Sequence, residues 1–211
     1  MTNVLLVEDD HMARQLLEIY IEKSENYTLA GSMESALFAE AFCHANAVDM
    51  ILMDVCTAMN ANGISAAADI KNHLPNIKIV VITSQPECSY IDRARAAGVD
   101  SFWYKSATAE EIISIMDRTL LGESIYPDNT PELTLGDAVS ESFSERELDV
   151  LRLVVEGYTD ADIAETLFIS VATVKTHIQN MKNRTGFRNR TELAVRARES
   201  GLVISDHKDP K

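Results

Sequence analysis

The amino-acid sequence predicts a doubly wound α/β domain followed by a small all-helical one, on three observations. Residues 1–121 alternate strand and helix signals five times, and continuous apolar strands joined by helices need both faces of a parallel sheet covered. Gly122–Ser142 holds Pro127, Pro131 and two glycines and sustains no period of 2 or 3.6, which is the composition of a linker. From Phe143 the apolar spacing becomes helical throughout. The expected bounds are therefore 1–121, a linker over 122–142, a helical domain over 143–204 and a polar, disordered tail over 205–211.

The elements follow in order. Val4–Val7 is a short apolar strand, and His11–Lys23 places Met12, Leu16, Leu17, Ile19 and Tyr20 at helical spacing. Tyr27–Ala30 is a weaker strand and Ser35–Ala45 a second helix. Val48–Asp54, VDMILMD, reads as a strand buried on both faces that ends in a carboxylate. A helix from about Ile64 to His73 stops before Pro75, and Ile77–Thr83 is a β-branched strand. Pro86–Ala97 reads as a helix closed by Gly98. Ser101–Tyr104 is the fifth strand and Ala109–Leu121 the fifth helix. In the second domain Ser144 stands three residues before Glu147, a capping-box spacing. Helices are expected from there to Gly157, over Asp160–Leu167, over Val171–Arg184 with Ser170 as cap, and over Arg190–Ser200.

Composition narrows the class. The 211 residues are 46% hydrophobic and 25% charged, ordinary for a soluble globular protein. No run approaches the roughly 20 apolar residues that span a bilayer, and no signal peptide is expected, so the reading is cytoplasmic. Cys43, Cys56 and Cys88 lack metal-ligand spacing and read as reduced thiols. The net charge of −14 is uneven: residues 1–142 hold 8 Lys and Arg against 22 Asp and Glu, whereas 143–204 hold 9 of each. No acid occurs from Thr166 to Thr191, while Lys175, Lys182, Arg184, Arg188 and Arg190 do. An acidic half joined to a locally basic segment predicts two domains with different partners.

Strand ends carry the chemistry. In a flavodoxin-like (βα)5 sheet of order 2-1-3-4-5 the first and third strands are neighbours at the switch point. Glu8 and Asp9 follow the first strand and Asp54 ends the third, so three carboxylates meet at one crevice. Their repulsion calls for a hard divalent cation, and Mg²⁺ takes a few carboxylates plus water. Thr83 and Lys105 end the fourth and fifth strands. A hydroxyl, an ammonium and Mg²⁺ around one carboxylate describe a phosphoryl-transfer site with Asp54 as nucleophile. Taken singly, each residue also reads as a turn, cap or solvated side chain.

With those residues in view, Asn3–Leu121 resembles the response-regulator receiver domain, VLLVEDDHMAR matching its first strand and acidic pair. The resemblance implies that Glu8, Asp9, Asp54 and the backbone carbonyl of Cys56 bind Mg²⁺. It further implies Asp54 as phospho-acceptor, Thr83 as switch hydroxyl, Lys105 as the site lysine and Phe102 as the rotating aromatic; an ordinary core ring is the other reading of Phe102. The chain departs from the family in DVCTAMNANG, where Thr57 and Ala58 replace Met-Pro and Gly63 lies one position late. Ser106 stands where proline is common.

The second domain reads as a short helix, a turn and a capped helix with a basic stripe, either a helix-turn-helix or a plain helical bundle. FSERELDVLRLVVEGYTDADIAETLFISVATVKTHIQNMKNRTGFRNRTELAVRA closely resembles the LuxR/NarL-type DNA-binding domain. That resemblance makes Val171–Arg184 the recognition helix, with Lys175, Thr176 and Gln179 toward base edges. Thr173, His177, Lys182 and Arg184 are expected at phosphates, and Val174, Ile178 and Met181 inward. Leu193, Ala194 and Ala197 either form a dimer contact, as in the family, or pack in the domain's own core.

The whole resembles a two-component response regulator of the NarL/FixJ type, a transcription factor rather than an enzyme. Its implied partners are a histidine kinase, double-stranded promoter DNA and a second copy of itself when active. Two other readings stay open: a DNA-binding regulator independent of phosphorylation, and an aspartyl-nucleophile phosphatase, which would want an acid where Cys56 stands.

Overall fold

In the structure, a computed structural model that describes residues 1–84, 89–105, 108–127 and 132–203, the chain forms two compact units. One is drawn from residues 1–84 and 90–128, and the other includes 129–211. In the first, β1 (Thr2–Val7), β2 (Tyr27–Met33), β3 (Met50–Met53), β4 (Lys78–Thr83) and β5 (Ser101–Tyr104) make one parallel sheet in the order 2-1-3-4-5. This is the doubly wound order the sequence predicts. The register sets Val7 beside Met53, Met53 beside Val81 and Thr83 beside Tyr104, so four strand ends share one edge.

Alternation along each strand divides the core. Val4, Leu6, Met50, Leu52, Val80 and Ile82 pack with Leu17 and Ile21 of α1 (His11–Lys23) and with Ile112, Ile115 and Met116 of α5 (Ala109–Leu120). The alternate residues Leu5, Val7, Ile51, Met53, Ile79 and Val81 are equally buried, on the side of α2 (Ala39–Ala45), α3 (Gly63–His73) and α4 (Tyr90–Ala96). Burying each such aliphatic side chain is worth about 1.5–3 kcal/mol. That is why a four-residue β3 holds as the central strand.

Several boundaries differ from expectation: β1 starts earlier, at Thr2, and β2 runs on to Met33. β3 starts at Met50, because Asp49 turns its carboxylate to the Asn3 N–H at 2.8 Å. The second helix opens as a 3₁₀ turn, Ala36–Phe38, capped by Ser35. α4 begins at Tyr90; the expected start at Pro86 falls outside the described residues, as do Cys88, Ser106 and the tail from 205.

The late glycine has a structural answer. Cys56–Thr57 and Ala61–Asn62 pair antiparallel, and between them Met59 and Asn60 take left-handed φ of 65° and 53°. This tight ribbon takes up the additional residue. Asn62 then caps α3 through the N–H groups of Ile64 and Ser65. Gly63 cannot bear a side chain: a Cβ there would lie 1.9 Å from the Asp54 carbonyl oxygen.

The second unit is a four-helix arrangement of α6 (Glu145–Val155), α7 (Asp160–Thr166), α8 (Val171–Thr185) and α9 (Arg190–Ser200). Ser144 and Glu147 form the predicted capping box, Thr159 and Asp162 form another, and Ser170 caps α8. Leu148, Leu151, Val154, Ile163, Val174, Ile178, Met181, Leu193 and Ala197 make its core. Leu193 and Ala197 are fully buried there, so core packing is their role within the unit. Part of the stretch read as linker is structured. Thr134–Leu135 pairs with Ala138–Val139, and Leu135 and Ala138 join this core. Gly136 at φ 61° lets the turn approach α8, since a Cβ there would meet the Thr185 carbonyl at 2.1 Å. Short strands with no sustained period leave no signal in the sequence. Among the described residues no helix is long and apolar enough to cross a membrane.

The close approach at Gly63 yields a test. Gly63→Ala should destabilise the first unit by about 1–3 kcal/mol, the range for a forced backbone shift in a packed site. Urea unfolding followed through Trp103, the sole tryptophan, measures it; unchanged stability would mean the α3 N-terminus is loosely seated.

Candidate functional sites

The sheet edge brings the predicted acids together. Glu8 leaves β1 and is buried, Asp9 is exposed and Asp54 is buried at the end of β3. One oxygen from each lies within 4.8 Å of the others. Lys105, just past β5, places its Nζ 2.9 Å from Asp54 Oδ2 and 2.6 Å from Glu8 Oε2. The other Asp54 oxygen accepts the Val55 N–H at 2.7 Å. Thr83 is fully buried at the end of β4 and its carbonyl accepts the Lys105 N–H at 2.8 Å.

Asp10, which the sequence reading left unassigned, explains why Glu8 and Asp9 are available. It caps α1, its carboxylate accepting the Ala13 N–H at 2.8 Å, and that bond holds its carboxyl below the usual range. The helix-cap reading thus belongs to Asp10. An Asp three residues before the first helical turn closes was the available signal. Arg14 adds a brace, donating to the Glu8 carbonyl at 2.8 Å and pairing with Glu34 at 3.0 Å.

Electrostatics follow from the burial. Desolvation pushes the Glu8 carboxyl up to about 7, the Asp54 charge adds to this, and Lys105 offsets only part of it. Asp54 is raised as well, chiefly by burial, with Lys105 and the Val55 N–H opposing. Burial alone would depress the Lys105 ammonium, but the two carboxylates outweigh it and hold it up. One cation therefore faces two buried carboxylates and a third at the rim. Positive charge is short there, and the donors are hard oxygens, so the cluster fits a divalent cation of the Mg²⁺ class.

Two further residues flank the cluster. Phe102 is fully buried, its ring edge-on to Tyr104 with centroids 5.6 Å apart. Cys56 opens the ribbon two residues beyond Asp54 and is half-buried, its Sγ 3.6 Å from Tyr90 Oη.

In the second unit, α7 and α8 are joined by a short turn in which Phe168 takes φ 55°. Val174, Ile178 and Met181 face inward as predicted, leaving Lys175, Thr176 and Gln179 exposed on the opposite side. The Thr176 hydroxyl donates to the Ala172 carbonyl at 2.9 Å, and Gln179 Nε2 donates to Asn183 Oδ1 at 2.7 Å. Thr173, His177 and Lys182 are half-exposed along the same helix. Arg184 also braces the unit from within. Its guanidinium bonds both Glu147 oxygens, at 2.9 and 3.1 Å, as well as the Ser142 carbonyl, and lies 5.1 Å over the Phe143 ring. It is a strut between α6 and α8 that uses three of the five guanidinium N–H groups and stays partly exposed. Burial would raise the Glu147 carboxyl, but the Arg184 bonds and the Ser144 cap hold it low. Arg190 is likewise engaged, with Asp160 and the Tyr158 carbonyl.

Comparison with known proteins agrees with both units. Residues 4–117 match the family of response regulator receiver domains, and residues 141–197 match the luxR family of bacterial regulatory proteins. Response regulator protein VraR of Staphylococcus epidermidis is 31% identical over 208 residues, covering 95% of this chain and 98% of VraR. VraR of Staphylococcus aureus is similar to the same extent, 31% over 208 residues and the same shares. Among solved structures, RcsB of Salmonella enterica serovar Typhimurium, bound to promoter rprA in the presence of the phosphomimetic BeF₃⁻, has a TM-score of 0.60. The match covers 93% of this chain and 98% of that one, at 18% identity, which shows a shared fold. On the family matches and the VraR likeness, the chain belongs to the two-component response regulators with a LuxR-type helix-turn-helix domain, the NarL/FixJ type.

Proposed function

We propose that Asp54 accepts a phosphoryl group from the phosphohistidine of a partner kinase, and that this controls dimerisation and promoter binding through α7 and α8. The observation that carries the reading is the pinned, buried Asp54 with Lys105 on one oxygen and Glu8 and Asp9 beside it. An Asp54 carboxylate oxygen forms a bond to phosphorus as the P–N bond to the donor histidine breaks. The Lys105 ammonium balances charge arriving on the phosphoryl oxygens, and the Thr83 hydroxyl donates to one of them. Glu8, Asp9, Asp54 and the Cys56 carbonyl would hold Mg²⁺, which when bound supplies the positive charge the crevice lacks. Phe102 moves with Thr83 as the switch aromatic. Cys56 offers no acid for turnover, in keeping with a regulator rather than a phosphatase. The reaction takes place in the cytoplasm, where DNA and phosphodonor meet.

On DNA, Lys175 reaches a guanine edge or a phosphate, and Gln179 can present its amide to adenine. Because the Thr176 hydroxyl is committed to Ala172, Thr176 contributes its methyl and a lone pair. Thr173, His177 and Lys182 touch phosphates, which set register rather than sequence. Two copies on half-sites about one helical turn apart complete the complex.

Three outcomes test this. Protons compete with Mg²⁺ for Glu8: with its carboxyl near 7, the group is charged above that pH and neutral below it. Lowering the pH from 8 to 6 should weaken Mg²⁺ binding by about tenfold in titration calorimetry, and Glu8→Gln should flatten that slope. With acetyl phosphate and Mg²⁺ the chain should take up one phosphoryl group and gain promoter protection in footprinting, and Asp54→Ala should do neither. An Asp54→Ala protein that protects the promoter like wild type, with and without the donor, rejects phosphoryl control. Lys175→Ala should lose roughly 1–3 kcal/mol of promoter affinity if it reads a base; equal affinity at physiological salt rejects that contact.

A further inference from the structure

Residues 124–126, just beyond α5, run along the outer edge of β5. The Phe102 N–H donates to the Ile125 carbonyl at 2.8 Å, and the Ile125 N–H donates to Ser101 Oγ at 3.1 Å. Ser124 Oγ donates to the Asp100 carbonyl and Tyr126 Oη to the Val99 carbonyl, each at 2.8 Å. The buried Ser101 hydroxyl must donate onward to Thr119 across 2.7 Å, because the Thr119 hydroxyl is already committed to the Ile115 carbonyl at 2.6 Å. A directed chain therefore runs from the Ile125 amide through β5 into α5. Ile125 is buried with the α1 and α5 core.

Tyr126 closes the segment on the ring assigned to the switch. It stacks on Phe102 with centroids 6.3 Å apart and planes 11° from parallel, and the Arg95 guanidinium of α4 lies 4.2 Å over it. Burial pushes the Tyr126 phenol up to about 12, with Arg95 opposing and Asp100 adding, so it stays protonated and able to donate to Val99. Covering an edge strand requires only backbone pairing. It does not require an aromatic ring laid on Phe102 and held by α4.

We propose that Ser124–Tyr126 is a strap that reads the position of the Phe102 ring and passes it into the linker, with Tyr126 as the positioning residue. The inference rests on phosphorylation of Asp54 moving Phe102. When that ring turns, Tyr126 loses its stacking partner, and the Ile125 pairing that depends on it loosens. The chain leading to the DNA-binding unit is then released at its root, so the signal leaves the first unit through the backbone itself.

Amide hydrogen exchange by NMR on the full chain tests it, with and without beryllofluoride and Mg²⁺. In wild type the Ile125 amide should exchange about three- to tenfold faster on adding beryllofluoride, the range expected for losing one aromatic pair. In Tyr126→Ala, and in Tyr126→Leu, which keeps apolar bulk without the ring, exchange should be fast already and no longer respond. Tyr126→Phe keeps the stack and should retain the response. All variants should still be phosphorylated at Asp54 by acetyl phosphate, because Tyr126 does not touch that site. Normal phosphorylation with no change at Ile125 in wild type overturns the strap alone, as does a wild-type response in both Tyr126→Ala and Tyr126→Leu. Failure of wild type to be phosphorylated at Asp54 overturns the switch reading and the strap together.

Discussion

The Lys105 ammonium, set between Asp54 and Glu8, is the contact on which the molecule turns. Two carboxylates buried at a sheet edge would each bind a proton rather than share a dry crevice uncompensated. One lysine at 2.6 and 2.9 Å relieves this only in part, as the raised Glu8 and Asp54 carboxyls show. The remaining deficit, with hard oxygen donors around it, suits the cluster to a small hard cation. It also makes the crevice respond to a phosphoryl group, whose added charge of about −1.5 to −2 must find the same few positive partners. The parallel register exists to make that contact possible. Val7, Met53 and Val81 lie level, with Thr83 and Tyr104 two residues further on, because β1, β3, β4 and β5 are locked by their apolar faces.

The segment after Asp54 shows how a departure from the family pattern is absorbed. One more residue in a loop could displace the acceptor, yet the ribbon is stapled from three sides. The Thr57 hydroxyl donates to the Ala61 carbonyl and accepts the Ala36 N–H, Ser35 donates to the Ala58 carbonyl, and the Gly63 N–H returns to the Val55 carbonyl at 2.7 Å. Met59 and Asn60 take the left-handed conformations that let the chain reverse within this frame, at a steric cost that non-glycine residues rarely pay. The ribbon beyond Asp54 is thus fixed by its own hydrogen bonds. Asparagine tolerates that conformation well; methionine does so only because the surrounding bonds determine it.

How much of this was legible in the sequence depended on the kind of signal. The sheet order and the five carriers of chemistry at its edge were readable, because buried strands are written as apolar runs and their ends as the next polar residue. The division of labour among Glu8, Asp9 and Asp10 was not, since three adjacent acids look alike until one is seen capping α1. The pairing of Arg184 was hidden for a similar reason: helical spacing puts it near the exposed stripe, but its partner Glu147 lies 37 positions away, and long-range ion pairs leave no local pattern. The strap and the Thr134–Val139 hairpin were hidden inside a stretch whose turn residues outweighed its few apolar ones.

Those long-range pairings bear on the electrostatics of DNA binding. With Arg184 and Arg190 committed within the helical unit, Lys175 and Lys182 are the ammonium groups that α8 itself presents. The remainder of the chain is strongly acidic, and each phosphate contact contributes affinity through counterion release. A single copy offers only one such set of contacts. Two copies linked on neighbouring half-sites convert the second contact into an intramolecular one, multiplying affinity without any new side chain. Control exerted on pairing, rather than on the recognition helix, then suffices to turn binding on.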